Sequence, residues 1–268
     1  MEDIIKTGKG KTALITGASG GIGYEIAMLF ARNGYNLVLI ARSEDKLGKI
    51  SAELEEKYII TCNVIAADLS IPSAPAEIFK ITEEEGLKID VLVNNAGFAT
   101  YGPFIESKLN SELEMLQVNI AAVTQLSYLY GKSMAKNGGG KILNVASTAA
   151  FQPGPLMAVY YASKAYVLHF SEAISNELNA SNVTVSVLCP GPTKTDFQDR
   201  AKMQKSRLFK LSKVMDASSV ALCGYKGLMQ GKTIIIPGIQ NKILARSIRL
   251  FPRKAVTFMA RKIQELQN

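Results

Sequence analysis

Two adjacent tyrosines, Tyr160 and Tyr161, stand four and three residues ahead of Lys164 in the stretch 158–166, AVYYASKAY. On a helix either spacing puts a phenol on the same side as the ammonium. A free phenol has a pKa of about 10 and is a reluctant base near neutrality; an ammonium beside it stabilises the phenolate and lowers that value. A tyrosine so placed can give a proton to a reacting oxygen and take it back. Spacing alone does not say which tyrosine does this, and the competing reading is that both pack a helix face.

Anion chemistry is visible upstream. Residues 13–30, ALITGASGGIGYEIAMLF, run from an apolar stretch through a glycine-rich turn into an amphipathic one. Gly17 suits a tight turn, Gly21 lets backbone N–H groups approach a diphosphate, and Gly23 lets helix and strand pack closely. The helix that follows offers free N–H donors and the positive end of its dipole. After the second apolar run comes LIARSEDKL, with Ala41 where an acid would bind a ribose diol, and then Arg42. A guanidinium fork suits a 2′-phosphate, Ser19 can add a hydroxyl, and NADP(H) is expected over NAD(H). Asp68 and the run Asn94–Gly97 close two further apolar runs, and each also reads as a cap or turn residue. Asp68 can accept from an adenine amino group, and Gly97 permits close backbone approach to a ribose.

These groups need a frame. Apolar runs at 11–16, 35–41, 59–68, 89–95, 140–147, 183–189 and 232–237 alternate with helical stretches at 21–33, 43–57, 73–86, 106–136, 155–179, 193–210 and 217–228. Runs apolar on both sides suit strands covered on both faces, and the alternation implies a doubly wound α/β fold: a parallel sheet of about seven strands between helical layers. Ser43 and Asp216 stand where helix caps are expected. Residues 1–268 read as one domain, with a tail at 239–268 of two short amphipathic helices broken at Pro252.

Three well-separated cysteines form no disulfide framework or metal-ligand spacing, and the start lacks an apolar leader, so a cytoplasmic location is expected. The net charge of +8 gathers at 200–213 and 242–262. With no Trp and no nucleic-acid-binding motif, nucleic acid is not an expected partner.

The chain resembles the short-chain dehydrogenases/reductases, in their single-domain oxidoreductase branch. The matching residues, in family order, are TGASGGIG 16–23, NNAG 94–97, Asn119 in LQVNIAA, Ser147 in LNVAS, Tyr160 with Lys164, and PGPTKT 190–195. The resemblance implies a Rossmann-type fold and assigns Tyr160, not Tyr161, as acid/base. It implies that Ser147 holds the substrate oxygen, that Lys164 also binds the nicotinamide ribose, and that Asn119 positions a water linking Lys164 to solvent. The implied cofactor contacts are Gly17, Ser19, Gly20, Gly21, Ile22, Gly23, Arg42, Asp68, Leu69, Asn95, Ala96, Gly97, Tyr160, Lys164, Pro190, Gly191, Thr193 and Thr195, with no metal. Thr193 replaces a commonly aliphatic residue, and its backbone is expected to serve.

The expected activity is NADPH-dependent reduction of a ketone or 3-oxo ester, or the reverse. The other reading is a non-catalytic dinucleotide sensor on the same fold. Residues 193–213 are expected to form a substrate lid. Lys194, Arg200, Lys202, Lys205, Arg207 and Lys210 there either attract an anionic acyl thioester or form a solvated helix face, the preferred reading. The tail is expected to pack on the body, with contact to an anionic membrane surface as its alternative. Helices 106–136 and 155–179 resemble the family's dimer-forming pair, so a homodimer or homotetramer is expected. His169, the only histidine, lies five residues past Lys164 and reads as structural or surface.

Overall fold

The computed structural model describes residues 8–195, 197 and 214–265. In chain order the elements are β1 (Thr12–Thr16), α1 (Gly21–Arg32), β2 (Asn36–Ala41), α2 (Glu44–Lys57), β3 (Cys62–Ala66), α3 (Ala74–Glu84) and β4 (Val91–Asn94). They continue with α4 (Leu109–Leu116), α5 (Val123–Lys136), β5 (Gly140–Val145), α6 (Ala158–Leu178), β6 (Val183–Leu188), β7 (Thr193–Lys194) and β8 (Met215–Asp216). The last are α7 (Ala217–Met229), β9 (Ile234–Ile235), α8 (Ile239–Ser247) and α9 (Arg253–Gln264).

Seven strands form one parallel sheet in the order β3-β2-β1-β4-β5-β6-β9. Successive strand residues face opposite sides, and both sides are covered. Ala13, Ile15, Leu37 and Leu39 pack against Phe30 of α1, Leu47 of α2 and Val220 of α7. Leu14, Val38 and Ile40 pack against Ile78 of α3 and Leu126 and Tyr130 of α5. The strands are therefore apolar without alternation. The chain runs outward from β1 to β2 and β3, then returns to β4 on the other side of β1. The carboxyl ends of β1 and β4 diverge there, which is where ligands bind in such sheets.

A buried polar ladder ties the later strands to the helices above them. Asn94 and Asn144 face each other in the β4–β5 register, and the Asn94 amide donates to the Asn144 side-chain oxygen at 2.9 Å. Asn94 also donates to Ser127 of α5 at 3.1 Å, and Asn144 to Ser171 of α6 at 2.9 Å. All four residues are at most 2% exposed. Such groups cost free energy unless they are paired, so the ladder favours one placement of α5 and α6 over the sheet.

Several expectations are refined. The stretch 106–136 is not one helix: α4 and α5 are joined by a π-helical turn, Gln117–Ala122. The runs 59–68 and 232–237 shorten to β3 and β9, which lie at the sheet edges and pair with one neighbour each. Asp216 caps α7 by accepting from the Ser219 N–H at 2.6 Å, whereas Ser43 holds the cap position of α2 without a side-chain hydrogen bond. The tail forms two helices, α8 and α9, with Pro252 between them. Of the expected lid, residues 196 and 198–213 lie outside the described residues, and with them Arg200, Lys202, Lys205, Arg207 and Lys210. The pair β7–β8 brackets that segment.

Candidate active site

The carboxyl end of β5 and the first half of α6 bring three side chains together. Lys164 is 5% exposed, and its ammonium donates to the Val145 carbonyl at the end of β5 at 2.9 Å. One turn earlier, Tyr160 is 8% exposed, with its ring centroid 5.9 Å from the Lys164 Nζ. Ser147, two residues beyond β5, accepts from the Ala149 N–H at 3.1 Å and hydrogen-bonds the Tyr160 hydroxyl. Tyr161 faces another way and takes no part in this cluster of hydroxyl, phenol and ammonium.

Asn119 lies in the π-helical turn and is fully buried. One extra residue in that turn shifts the helical register, a device frequent at functional sites. Its amide donates to the Phe98 carbonyl at 3.0 Å and to Ser163 of α6 at 3.1 Å, while its oxygen accepts from the Phe98 N–H at 3.2 Å. Asn119 thus clamps the segment after Asn94–Gly97 to the helix that carries Tyr160 and Lys164. Ser163 was missed from sequence; its only signal was its position beside Lys164.

The electrostatics refine the expectation drawn from the tyrosine–lysine spacing. Burial pushes the Tyr160 phenol well above its ordinary pKa, the Ser147 hydrogen bond works against that, and the neighbouring Tyr161 adds to it. Without a ligand, burial therefore favours the neutral form of the phenol. Burial lowers Lys164 itself to about 8, opposed by its interaction with Cys189.

The glycine turn lies across the sheet's switch point. A Cβ at Gly23 would sit 2.3 Å from the Gly17 carbonyl oxygen, so only glycine lets α1 begin this close to β1. The N-terminal turn of α1 has no side-chain cap, with Gly20 at the cap position beside Ser19. Ile22 packs partly into the core below. Thr16 knits this turn to Asn94–Gly97: its Oγ1 accepts from the N–H groups of Asn95 and Ala96, both at 3.0 Å. Asn95 returns a side-chain bond to the Thr16 carbonyl at 3.0 Å. At Gly97 a Cβ would lie 3.3 Å from the Lys164 Nζ and 3.0 Å from the Asn119 Oδ1, so glycine keeps the floor beneath the lysine open.

Arg42 is exposed at the end of β2, and its charge reaches Asp68. Burial would raise the Asp68 pKa, but hydrogen bonds from Ser70 and the charge of Arg42 outweigh it and hold the carboxyl below its ordinary value. Asp68 is thereby also a turn residue, accepting from the Ser70 N–H at 2.9 Å. Leu69 is a core residue. Sequence reasoning passed over Lys46, whose Nζ lies 3.7 Å from where a Cβ of Gly20 would be. Past β6, the Pro190 carbonyl accepts from the Thr148 N–H at 2.8 Å, and Gly191 lies against Asn241 of α8. Thr193 pairs through its backbone with Met215, and Thr195 lies against Gly21. His169 is exposed, 3.5 Å from Glu172.

A family model described as short chain dehydrogenase matches residues 11–206. The chain is a short-chain dehydrogenase. Hydroxysteroid dehydrogenase-like protein 1 of Gallus gallus is 34% identical over 77% of this chain and 62% of its own length. The very-long-chain 3-oxoacyl-CoA reductase of Mus musculus is 32% identical over 88% of this chain and 76% of its own. The chain thus spans about three fifths to three quarters of these relatives. Among solved structures, a short-chain dehydrogenase from Sphingobium yanoikuyae in complex with NADPH superposes with a TM-score of 0.82 at 29% identity, covering 96% of this chain and 98% of that one. The bulky-bulky ketone specific alcohol dehydrogenase from Comamonas testosteroni does so at 0.76 and 30% identity, covering 90% and 92%.

Short-chain dehydrogenases are nicotinamide-using oxidoreductases, and the residues of this chain fit that cofactor. An uncapped helix N-terminus behind a glycine turn can hold the diphosphate, and the open floor at Gly97 lies under a buried ammonium. Among the described residues no cluster of potential metal ligands is present.

If Tyr160 is the proton donor, Tyr160→Phe lowers kcat by about 10²- to 10⁴-fold on the best substrate of a carbonyl panel. Cofactor affinity, read by calorimetry, stays within about twofold, since the ring and Lys164 remain; a kcat within about threefold of the parent would reject the assignment.

Lys164 also makes a pH prediction for the cofactor-free protein. Between the folded value of about 8 and the unfolded value of about 10.4, the unfolded chain binds more protons. Through this group, stability therefore rises with pH across that window. Lys164→Met is expected to be more stable than the parent near neutral pH, with the gain fading as pH climbs through the window. Urea midpoints for both proteins check this; a constant gain would mean that the ammonium is not desolvated.

Proposed function

We propose that the chain is an NADPH-dependent carbonyl reductase acting on a ketone or 3-oxo (thio)ester, and in reverse on the alcohol. The convergence of Ser147, Tyr160 and Lys164 beside the glycine turn carries this reading. The same intact set speaks against a sensor that only binds dinucleotide. When bound, reduced nicotinamide supplies hydride to the carbonyl carbon. The Tyr160 hydroxyl gives its proton to the oxygen as negative charge develops there, and Ser147 donates a hydrogen bond to the same oxygen. The Lys164 ammonium, fixed on the Val145 carbonyl, stabilises the phenolate left behind. In the oxidative direction these groups move the same proton back.

For cofactor choice, Lys46 lies beside Gly20 and Arg42 stands exposed at the end of β2, two cations that can hold a 2′-phosphate, and Ala41 leaves no acid to bind a free ribose diol. The NADPH in the Sphingobium yanoikuyae structure supports this choice. For substrate class, the relatives named very-long-chain 3-oxoacyl-CoA reductase support a 3-oxo thioester. A homodimer is supported by apolar side chains exposed on α4, α5 and α6: Leu109, Leu113, Tyr128 and Tyr166. Packing of the tail on the body is supported by Val256, Ala260 and Gln264, which are buried on one side of α9. Among the described residues no helix is long and apolar enough to cross a membrane.

Arg42→Ala with Lys46→Ala is expected to lower kcat/KM for NADPH by about 10- to 100-fold and to leave NADH within about twofold. Unchanged selectivity would contradict the NADPH reading. A 3-oxoacyl-CoA is expected to turn over faster than a neutral keto ester, with both responding alike to salt; a lead that falls as salt is raised would replace the solvated-face reading of the basic residues with charge steering. In flotation with anionic liposomes the full chain and a chain ending at residue 238 are both expected to stay unbound. Flotation of the full chain alone would assign the exposed Ile239, Ile243 and Phe258 to a lipid surface.

A further inference from the structure

The tail reaches back to the turn that follows β6. Asn241, in the first turn of α8, donates its side-chain amide to the Pro237 carbonyl at 2.8 Å. So held, the amide lies against Gly191: a Cβ there would sit 2.6 Å from the Asn241 Nδ2 and 2.7 Å from its Oδ1. The Gly191 backbone lies outside the left-handed region, so its conformation admits alanine. What excludes a side chain at this position is the space that Asn241 takes.

The body of the protein holds the same turn through its carbonyls. Pro190 accepts from the Thr148 N–H at 2.8 Å and from the Ser147 hydroxyl at 3.4 Å. Gly191 accepts from the Thr193 hydroxyl at 2.9 Å, and Pro192 from the Met215 N–H at 3.0 Å. The turn therefore carries a partner of Ser147 on one residue and bears on Asn241 with the next. Close-packed interiors transmit small displacements. A shift of Gly191 moves the Pro190 carbonyl, and with it the seat of Ser147.

We propose that Asn241 is a positioning residue: its amide sets where the turn at 190–193 sits, and so the seat of Ser147 and of the nicotinamide half of the cofactor. This deepens the reductase reading and rests on it for the nicotinamide half lying at this turn. Asn241 itself touches none of the reacting atoms. Through it the tail acts on the reaction from outside the site.

The test is a cycle of Asn241→Ala, Gly191→Ala and the double variant, with the exposed Lys242→Ala as control. A methyl added at Gly191 collides with the amide in the parent and enters the space the amide has left in the double variant. Calorimetry compares oxidised NADP with adenosine 2′,5′-bisphosphate, which lacks the nicotinamide half. Asn241→Ala is expected to weaken NADP by about 3- to 10-fold and Gly191→Ala by about 10-fold or more, with the bisphosphate within about twofold for both. In the Asn241→Ala background the added methyl is expected to change NADP affinity by no more than about twofold. The kcat for carbonyl reduction follows the same non-additive pattern, since Ser147 shares the turn, and Lys242→Ala matches the parent. A binding cycle that holds while no carbonyl turns over would keep the positioning role and reject the reductase reading. A methyl equally harmful with and without the Asn241 amide overturns the proposal. So does an Asn241→Ala that leaves NADP affinity unchanged, or one that weakens both ligands alike, the mark of a merely structural role. Should Gly191→Ala fail to fold, recovery of fold and NADP affinity in the double variant is the expected result, and its failure the contrary one.

Discussion

A buried ammonium is the constraint on which the site depends. Taking one such ion out of water costs several kcal/mol even after relaxation, and Lys164 is given one strong partner among the described contacts, the Val145 carbonyl at 2.9 Å. That bond fixes Nζ at the carboxyl end of β5, over the open floor at Gly97 and a turn from the Tyr160 phenol. Burial acts on the two groups in opposite senses, raising the phenol and lowering the amine. Both therefore lean towards their neutral forms until further charge arrives in the site. A neutral phenol is what a reduction needs as its proton source. The phenolate left afterwards is what the ammonium stabilises.

Holding such a pair takes a rigid frame. The ladder through Asn94, Asn144, Ser127 and Ser171 pins α5 and α6 to the sheet, and Asn119 pins α6 to the loop after β4. Thr16 joins the glycine turn to that same loop. The glycine turn and the Tyr160–Lys164 pair are thus positioned by buried polar groups around the switch point. Each group in it is costly if left unpaired, which gives the arrangement its specificity.

Much of this was legible in the sequence because it is written in residue type and spacing. Apolar runs without alternation gave away strands covered on both faces, and the glycines marked close approaches. The choice between Tyr160 and Tyr161 was not legible from spacing, since both fall within a turn of Lys164; the resemblance made it, and Ser147 beside Tyr160 agrees. The π-helical turn at Asn119 was hidden, because one inserted residue barely disturbs a hydrophobic period. The burial of Gln264 was hidden too, as a polar residue at a helix end reads as surface until the distant Tyr101, whose hydroxyl donates to its carbonyl, is seen. Lys46 looked like one more solvated charge on α2, and only the fold brings it to Gly20.

The central claim is that burial keeps the Tyr160 phenol protonated and that positive charge in the site makes it ionisable. Carbon-13 resonances of ring-labelled tyrosine, with Tyr160 assigned by its loss in Tyr160→Phe, report that ionisation directly. The account predicts no titration of Tyr160 in the cofactor-free protein across the pH range in which it stays folded. Binding of oxidised NADP should bring a titration into that range, and Lys164→Met should push it back out. An ordinary titration near pH 10 without cofactor, or one that ignores both the cofactor and Lys164, would contradict it.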